Sequence, residues 1–135
     1  MLNYAFVDGS FNKLTQTYGC GGFVVVDGKQ YIIQGCGNDA SLVSMWNVAG
    51  EILGSTLAIK KTVELGAKSL TIYYDYEGIA KWASGEWKRN KEGTIAYYNF
   101  IRSVNINLKF VHVKGHSGIE GNEVADRLAK EAVGL

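Results

Sequence analysis

The pattern of apolar positions along the chain predicts five strands. Both faces of the first run, Leu2 to Val7, are mostly apolar, which is typical of a central strand covered on both sides. Four later runs rich in β-branched and aromatic residues predict further strands at 19–26, 30–37, 70–74 and 107–113. A turn at Asp27-Gly28 should join the second and third strands as a hairpin.

Helical spacing of apolar residues predicts four helices. The longest runs from Asn47 to Leu65, and Gly66 can end it as a C′ residue. Its buried face should carry Ile52, Thr56, Ile59 and Val63. Shorter helices are expected at 77–83 and 95–104. Asn122 can cap a last helix, whose buried stripe would be Val124, Leu128 and Ala132.

This order of elements predicts an α/β fold. The helix at 47–65 links strands before and after it, so the strand at 70–74 should run parallel to the first strand. We find no linker, internal repeat or low-complexity tract in the sequence, and 135 residues suit a single domain spanning 1–135.

Composition excludes some classes of function and leaves others open. No stretch approaches the roughly 20 apolar residues that a membrane helix needs, so we expect no membrane contact. The first residues lack a basic segment, which predicts no signal peptide and a cytoplasmic protein. The net charge is only +1, so any patch that attracts nucleic acid must be local.

Two cysteines flank the predicted hairpin. Cys20 and Cys36 should lie nearly opposite each other across the turn, so a cross-strand disulfide is conceivable. Because disulfides are rare in cytoplasmic proteins, two buried thiols are the preferred interpretation.

Two carboxylates follow parallel strands. Asp8 comes directly after the first strand and Asp75 ends the strand at 70–74. If these strands pair, they lie about 4.8 Å apart, and two carboxylates so close repel each other unless cations neutralise them. The alternative is that Asp8 only starts an Asp-Gly turn with Gly9 and Ser10, which is a common arrangement.

Two further carboxylates lie at the starts of helices. Glu51 either stabilises its helix by interacting with the positive end of the helix dipole or points toward the strand ends as a metal ligand. Asp126 lies beside the buried stripe of the last helix, close to a glycine-rich loop that carries His116. It is either an edge charge or a residue of a functional site.

The segment from Trp82 to Lys91 interleaves aromatic and basic residues. Trp87, Lys88 and Arg89 suit contacts with nucleic acid, because aromatic rings pack on sugars or bases and cations bind phosphates. The alternative is a core tryptophan followed by a solvated run of charges.

The order of these groups resembles the ribonuclease H family. The resemblance rests on Val-Asp-Gly-Ser at 7–10, Asn-Val-Ala-Gly-Glu at 47–51, Asp75, and His-Ser-Gly-Ile-Glu-Gly-Asn-Glu-x-Ala-Asp-x-Leu-Ala at 116–129. The chain departs from the family at Gly50, which weakens a helix by about 1 kcal/mol relative to Ala. It also departs at Tyr76, where relatives more often have Ser, and in its short basic segment.

The resemblance implies both a fold and an activity. The fold would be a mixed five-stranded sheet of order 3-2-1-4-5 with helices on both faces. The activity would be hydrolysis of the RNA strand of RNA–DNA hybrids, with two Mg²⁺ ions (or Mn²⁺) and products carrying 5′-phosphate and 3′-hydroxyl ends. The implied ligands are Asp8, Glu51, Asp75 and Asp126.

The resemblance also implies roles for residues around the ligands. His116 would relay a proton or help the product leave, and Gly9, Ser10 and Asn47 would contact the hybrid. We expect a monomer. The alternatives are another nuclease of the same fold, a hybrid-binding module without catalysis and, remotely, a glycosidase with two carboxylates.

Overall fold

The computed structural model describes residues 2–114 and 120–135, and its centre is a mixed five-stranded sheet. The strand order is β3-β2-β1-β4-β5, as the resemblance implied. β1 to β3 form an antiparallel meander, and β4 pairs in parallel with both β1 and β5. The strands are β1 Tyr4–Asn12, β2 Thr17–Val26, β3 Lys29–Gly37, β4 Ser69–Tyr74 and β5 Asn107–His112.

Helices cover both faces of the sheet, as predicted. The helices are α1 Asn47–Glu64, α2 Gly78–Ser84, α3 Glu92–Ser103 and α4 Glu120–Ala132, with a short 3₁₀ turn at Val43–Met45 before α1. α1 packs on one face of β1 and β2, and α4 packs on the other. Gly66 closes α1 with a φ of 79°, as expected. Within the described ranges, no helix has the length and apolarity to cross a membrane.

The main core lies between the sheet and α1. Val7 of β1, Ile59 of α1 and Ile72 of β4 are all fully buried there. Each such side chain contributes about 1.5–3 kcal/mol relative to an exposed one. Tyr97 of α3 closes the end of this core, and its hydroxyl donates a hydrogen bond to the carbonyl of Ile79 at 2.9 Å. The core thereby fixes α1 against β1.

Glycines let α1 approach the sheet at backbone distance. A Cβ at Gly50 would lie 1.9 Å from the carbonyl oxygen of Gly19, and one at Gly9 would lie 2.1 Å from that of Asn47. Any side chain at these positions would force the two elements apart. The contact explains why α1 carries a glycine in its first turns despite the cost in helix propensity.

The predicted end of the first strand was wrong. β1 does not turn at Asp8 but continues through Gly9 and Ser10 to Asn12, because β2 pairs with it along its whole length. The turn comes later, where the side-chain oxygen of Asn12 accepts hydrogen bonds from the amides of Leu14 and Thr15. Asp8 therefore lies inside a strand, held by backbone pairing.

Three expectations about the helices were also wrong. Asn122 lies inside α4 rather than capping it, and its buried Oδ1 has no hydrogen-bond partner among the described residues. Leu128 is buried as predicted, but Ala125 and Ala129 complete the buried stripe of α4. At the end of α1, Val63 is 46% exposed, whereas Thr62 is fully buried in its place.

The expectation of two buried thiols holds for only one cysteine. Cys20 pairs with Gly35 and Cys36 pairs with Gly19, so the two side chains are offset by one residue and point to opposite faces. Cys20 is buried and burial raises its pKa to about 12, whereas Cys36 is exposed. Both thiols are free.

Candidate active site

Three of the predicted carboxylates converge where β1 and β4 diverge. Asp8 comes from β1, Glu51 from the first turns of α1 and Asp75 from the residue after β4. One oxygen from each lies within 4.8 Å of the others. The parallel register, in which Phe6 pairs with Tyr73, brings Asp8 level with Asp75 two residues further on. The fold thus assembles groups that are far apart in sequence.

Glu51 is the most deeply buried of these carboxyl groups. Its side chain is 1% exposed, and Oε1 has no hydrogen-bond partner within the described part of the chain. Burial raises the pKa of Glu51 to about 11, with a further contribution from Asp75, while the Tyr76 amide works in the opposite direction. In the metal-free protein at neutral pH, Glu51 is therefore protonated.

Asp8 lies at the centre of the cluster and is only 7% exposed. Burial, followed by the charge of Asp75, raises its pKa to about 8. The amide of Gly9 donates a hydrogen bond to Oδ1 at 2.9 Å, which partly offsets the rise. Asp8 therefore loses its proton readily only when positive charge arrives.

Asp126 reaches the same place from the opposite face of the sheet. It projects from α4 close enough to Asp8 to share a hydrogen bond with it. The side chain of Asp126 is 27% exposed and forms an ion pair of 3.0 Å with Lys130, one helical turn further on. All four acids named from the sequence thus meet around Asp8.

The arrangement fits a divalent metal ion. The donor set consists of carboxylate oxygens, which hard cations prefer. Glu51 Oε1 is a buried polar atom without a partner, and such atoms are costly unless something binds them. A bound cation would also favour the ionised forms of Asp8 and Glu51, whose pKa values are raised mainly by burial and further by the neighbouring carboxylates. The cluster therefore has the properties of a metal-binding site.

A cleft of about 360 Å³ opens over the carboxylates. Three residues predicted to bind substrate line it, namely Gly9, Ser10 and Asn47. The sequence interpretation missed four others that also line it, namely Phe11, Lys13, Trp46 and Lys130. Lys130 could have been found from its i,i+4 spacing to Asp126. Phe11 and Lys13 were missed because the first strand was ended too early.

The aromatic and basic segment between α2 and α3 lies beside this site. Trp87 packs edge to face on Trp82 at 5.7 Å and on Tyr76 at 6.3 Å, and Tyr76 directly follows Asp75 in the chain. Lys88 is exposed. The guanidinium of Arg89 lies 4.1 Å from the ring centroid of Tyr98 and donates hydrogen bonds to the carbonyls of Gly85 and Trp87. Arg89 therefore stabilises the shape of the segment.

The predicted His116 lies outside the described residues. Another histidine does contact the site: Nε2 of His112, on β5, is 2.7 Å from the backbone carbonyl of Asp75. This contact ties the residue after β4 to the neighbouring strand. It was not predicted, because nothing in the sequence around His112 distinguishes it from an exposed strand residue.

Comparison with known proteins gives a family match over nearly the whole chain. The RNase H family model matches residues 3–134. Human ribonuclease H1 is 34% identical over 101 residues, which cover 63% of this chain and 34% of that protein. Mouse ribonuclease H1 is 31% identical over 99 residues with the same coverage. The chain thus spans about a third of the length of these relatives.

Solved structures show the same fold. RNase H1 from Halobacterium salinarum superposes with a TM-score of 0.79 at 20% identity, covering 98% of both chains. LC11-RNase H1, solved in complex with an RNA/DNA hybrid, gives a TM-score of 0.70 at 15% identity over 97% of this chain and 99% of that one. With its four acids in one cleft and a family match from residue 3 to residue 134, the chain belongs to the RNase H family.

Proposed function

We propose that the protein hydrolyses the RNA strand of RNA–DNA hybrids, leaving 5′-phosphate and 3′-hydroxyl ends. The observation that carries the proposal is the cluster of carboxylates at the floor of an open cleft, in a chain of the RNase H family. The similar fold of LC11-RNase H1, which was solved with a hybrid, supports this choice of substrate.

We propose two Mg²⁺ ions as the cofactors, with Mn²⁺ as a substitute. Asp8 would contact both ions, since it lies between the other acids. Glu51 and Asp75 would complete one site and Asp126 the other. When bound, such cations lower the barrier to in-line attack of water on phosphorus and offset the charge of the departing 3′ oxygen.

The residues of the chain itself orient the substrate and prepare the ligands. Asp8 and Glu51 release their protons as cations bind, because both carboxyl groups hold protons without them. Gly9 and Ser10 line the cleft with β1 backbone, and Asn47 adds a side-chain amide. Backbone amides and an Asn side chain suit contacts with a ribose 2′-hydroxyl, which distinguishes RNA from DNA.

His116 is proposed to move a proton or assist product release. The residue would not bind Mg²⁺, which prefers oxygen ligands. Replacing His116 by Ala should lower the rate by about 10²–10⁴-fold, as for a general acid–base group, and should leave metal affinity unchanged in calorimetry. A loss of metal affinity would show a structural role instead.

Trp87, Lys88 and Arg89 are proposed to contact the hybrid outside the reacting phosphate. Lys88 is exposed and available for phosphate, and Arg89 also stabilises the shape of the segment through its hydrogen bonds. Replacing both basic residues by Ala should raise KM far more than it lowers kcat, because groups remote from the reaction bind ground and transition states alike. An unchanged KM in a salt series would place this segment in solvent.

A substrate panel tests the proposed function directly. Labelled RNA–DNA hybrid, RNA duplex and DNA duplex are incubated with Mg²⁺, with Mn²⁺ and with chelator, and the product ends are identified. We expect RNA cleavage in the hybrid only, abolished by chelator and by Asp75→Asn. Cleavage of DNA duplex would indicate another nuclease of this fold. Binding without any cleavage would indicate a hybrid-binding module.

We also propose that the protein acts as a monomer in the cytoplasm. All four acids come from one chain, so the cleft needs no second copy. Both cysteines are free, which is typical of a reducing compartment. Size-exclusion chromatography with light scattering tests the first statement, and fractionation of cells tests the second.

A further inference from the structure

We propose that Trp46, together with Phe11 and Lys13, forms a subsite that packs against a nucleotide next to the reacting phosphate. The inference rests on the proposed function, since it takes the ligand of the cleft to be nucleic acid. It adds a recognition element that the carboxylates do not provide. The three residues line the same cleft as Asp8 and Asp75.

Trp46 is exposed at a place where tryptophan contributes little to the core. Its side chain is 56% accessible although it directly precedes α1, in the wall of the cleft. Exposure of a large aromatic surface to water is unfavourable. A ligand that covers this surface would bind more tightly in proportion to the apolar area that is buried. Its location beside the acids makes a bound substrate a suitable cover.

The backbone at Trp46 is in a conformation that favours glycine. Its φ of 56° and ψ of −127° are strained for a residue with a large side chain. Trp46 is also the N-cap residue of α1 and provides no side-chain cap hydrogen bond, which Ser, Asp or Asn would provide. Tryptophan is thus a poor choice for stability at this position, and strain of this kind is concentrated at functional sites.

Phe11 and Lys13 both contact the indole ring of Trp46. The rings of Phe11 and Trp46 stack at an interplanar angle of 22° with centroids 6.3 Å apart, and the Lys13 ammonium lies 5.7 Å from the Trp46 ring. Because β1 extends to Asn12, it carries Phe11 to this end of the cleft, and Lys13 follows directly after the strand. The pair of rings presents an apolar surface with a cation beside it.

This combination suits a nucleotide. An aromatic surface packs on a sugar or base, and an adjacent ammonium binds the attached phosphate. Any ionised carboxylate in the cleft repels phosphate unless cations are bound, whereas Lys13 attracts it. The subsite would therefore hold the substrate strand on the α1 side of the cleft, opposite α4 and Lys130.

The test measures binding of a labelled RNA–DNA hybrid by fluorescence anisotropy in a chain carrying Asp75→Asn, so that the probe stays intact. Trp46→Gly removes the indole and relieves the backbone strain, and Trp46→Phe keeps an aromatic ring. We expect about 5-fold to 50-fold weaker binding for Trp46→Gly and less than 5-fold for Trp46→Phe. Ile32→Ala, equally exposed at 56% but on β3, is the matched control and should bind normally.

A salt series separates packing from charge. Lys13→Ala should reduce the slope of log affinity against log salt by about 0.9, the value for one lost phosphate contact. Trp46→Gly should weaken binding at every salt concentration without changing the slope. A general loss of structure would not give these two separate signatures.

Three outcomes would overturn the subsite: normal binding by Trp46→Gly, equal losses for the Gly and Phe variants, or altered metal affinity in calorimetry.

Tryptophan fluorescence gives a second test of the subsite that does not depend on the folding of Trp46→Gly. In the Asp75→Asn chain, bound hybrid should protect part of the tryptophan fluorescence from acrylamide quenching, and this protected part should be missing in Trp46→Phe. Equal protection in the two chains would contradict the proposal. Failure of the cleavage panel with Trp46-dependent binding would reject only the catalytic proposal. Cleavage with Trp46-independent binding would reject only the subsite.

Discussion

Glu51 and Asp126 reach the same cleft from opposite faces of the sheet, and their surroundings differ. Glu51, on α1, is 1% exposed and has an oxygen without a partner. Asp126, on α4, is 27% exposed and pairs with Lys130 at 3.0 Å. One carboxyl group keeps its proton in the metal-free state, and the other is compensated by a cation of the chain itself.

Before a metal binds, the two carboxyl groups avoid an uncompensated negative charge in different ways. On the α1 side the charge is suppressed by protonation, because burial raises the pKa of Glu51 to about 11. On the α4 side an ammonium neutralises it. Metal binding must therefore displace a proton on one side and loosen an ion pair on the other, so the two sides should respond differently to pH and to mutation.

The largest effect is expected for Asp75→Asn, which breaks the α1 side. Loss of a ligand that stabilises transition-state charge by several kcal/mol should lower hybrid cleavage by on the order of 10³-fold or more. The metal-free protein should melt at an equal or higher temperature, since the charge of Asp75 contributes to the raised pKa of Glu51. Cleavage assays and calorimetric melting measure both. Near-normal turnover of the variant would show that Asp75 is not a metal ligand but only a charged residue at the end of a strand.

The stability of the metal-free protein should fall as the pH rises from about 4 to about 8. Folded Asp8 keeps its proton up to about pH 8, whereas the unfolded chain loses it near pH 3.8. The unfolded state therefore binds fewer protons in this window, and raising the pH favours unfolding by at most about 1.4 kcal/mol per pH unit for one group. Glu51 acts in the same direction from about pH 4.5 to about pH 11.

Urea unfolding in chelator and in Mg²⁺ checks this dependence. Bound cations should flatten the pH profile, because they replace the protons on the carboxylates. A metal-free stability that rises across the same window would contradict the protonated state of the cluster.

Replacing Glu51 or Asp126 by its neutral amide should change the stability of the metal-free protein to different extents. Glu51→Gln removes the need to protonate a buried carboxylate, so the metal-free protein at pH 7 should gain on the order of 1–3 kcal/mol. Asp126→Asn loses a partly exposed ion pair, which contributes about 0.5 kcal/mol or less, and relieves a smaller part of the raised pKa of Asp8. Its stability change should therefore be smaller than that of Glu51→Gln. Both variants should bind metal more weakly in calorimetry. Equal stability changes for the two variants would contradict the proposed difference between the α1 side and the α4 side of the site.

The smallest effect is expected for Lys130→Ala. Without its partner, Asp126 no longer has to leave an ion pair when a cation binds. Metal affinity should therefore rise by about twofold, which corresponds to the 0.3–0.5 kcal/mol of a helical i,i+4 pair. Calorimetric titration with Mn²⁺ measures the change, and weaker metal binding would give Lys130 a different role.

The strand order was predicted from the family resemblance, whereas the parallel crossover was predicted from the order of the elements. The parallel crossover and the positions of Asp8 and Asp75 follow from periodicity and from a family resemblance that covers most of the chain. Local choices were harder to predict. The first strand continues past Gly9 because β2 offers pairing partners as far as Thr17, and no rule for single residues contains that information.

The same limit applies to the walls of the cleft. The role of Gly50 became clear only from its contact with Gly19, since propensity alone marks it as a weakness. Trp46 gave no signal, because its exposure and its strained backbone are properties of the folded chain. Side chains that line a site without belonging to a recurrent motif need coordinates to be found.

The backbone contact between β1 and α1 also determines how much the ligand spacing can vary. Gly9 and Gly50 leave no gap between the two elements, so the backbones that carry Asp8 and Glu51 cannot move closer together around a smaller ion. On the other face, α4 approaches β2 just as closely, since a Cβ at Gly21 would lie 2.2 Å from the amide nitrogen of Ala129. Glycines thus set the distance of both ligand-bearing helices from the sheet, so Gly50→Ala should alter metal preference as well as stability.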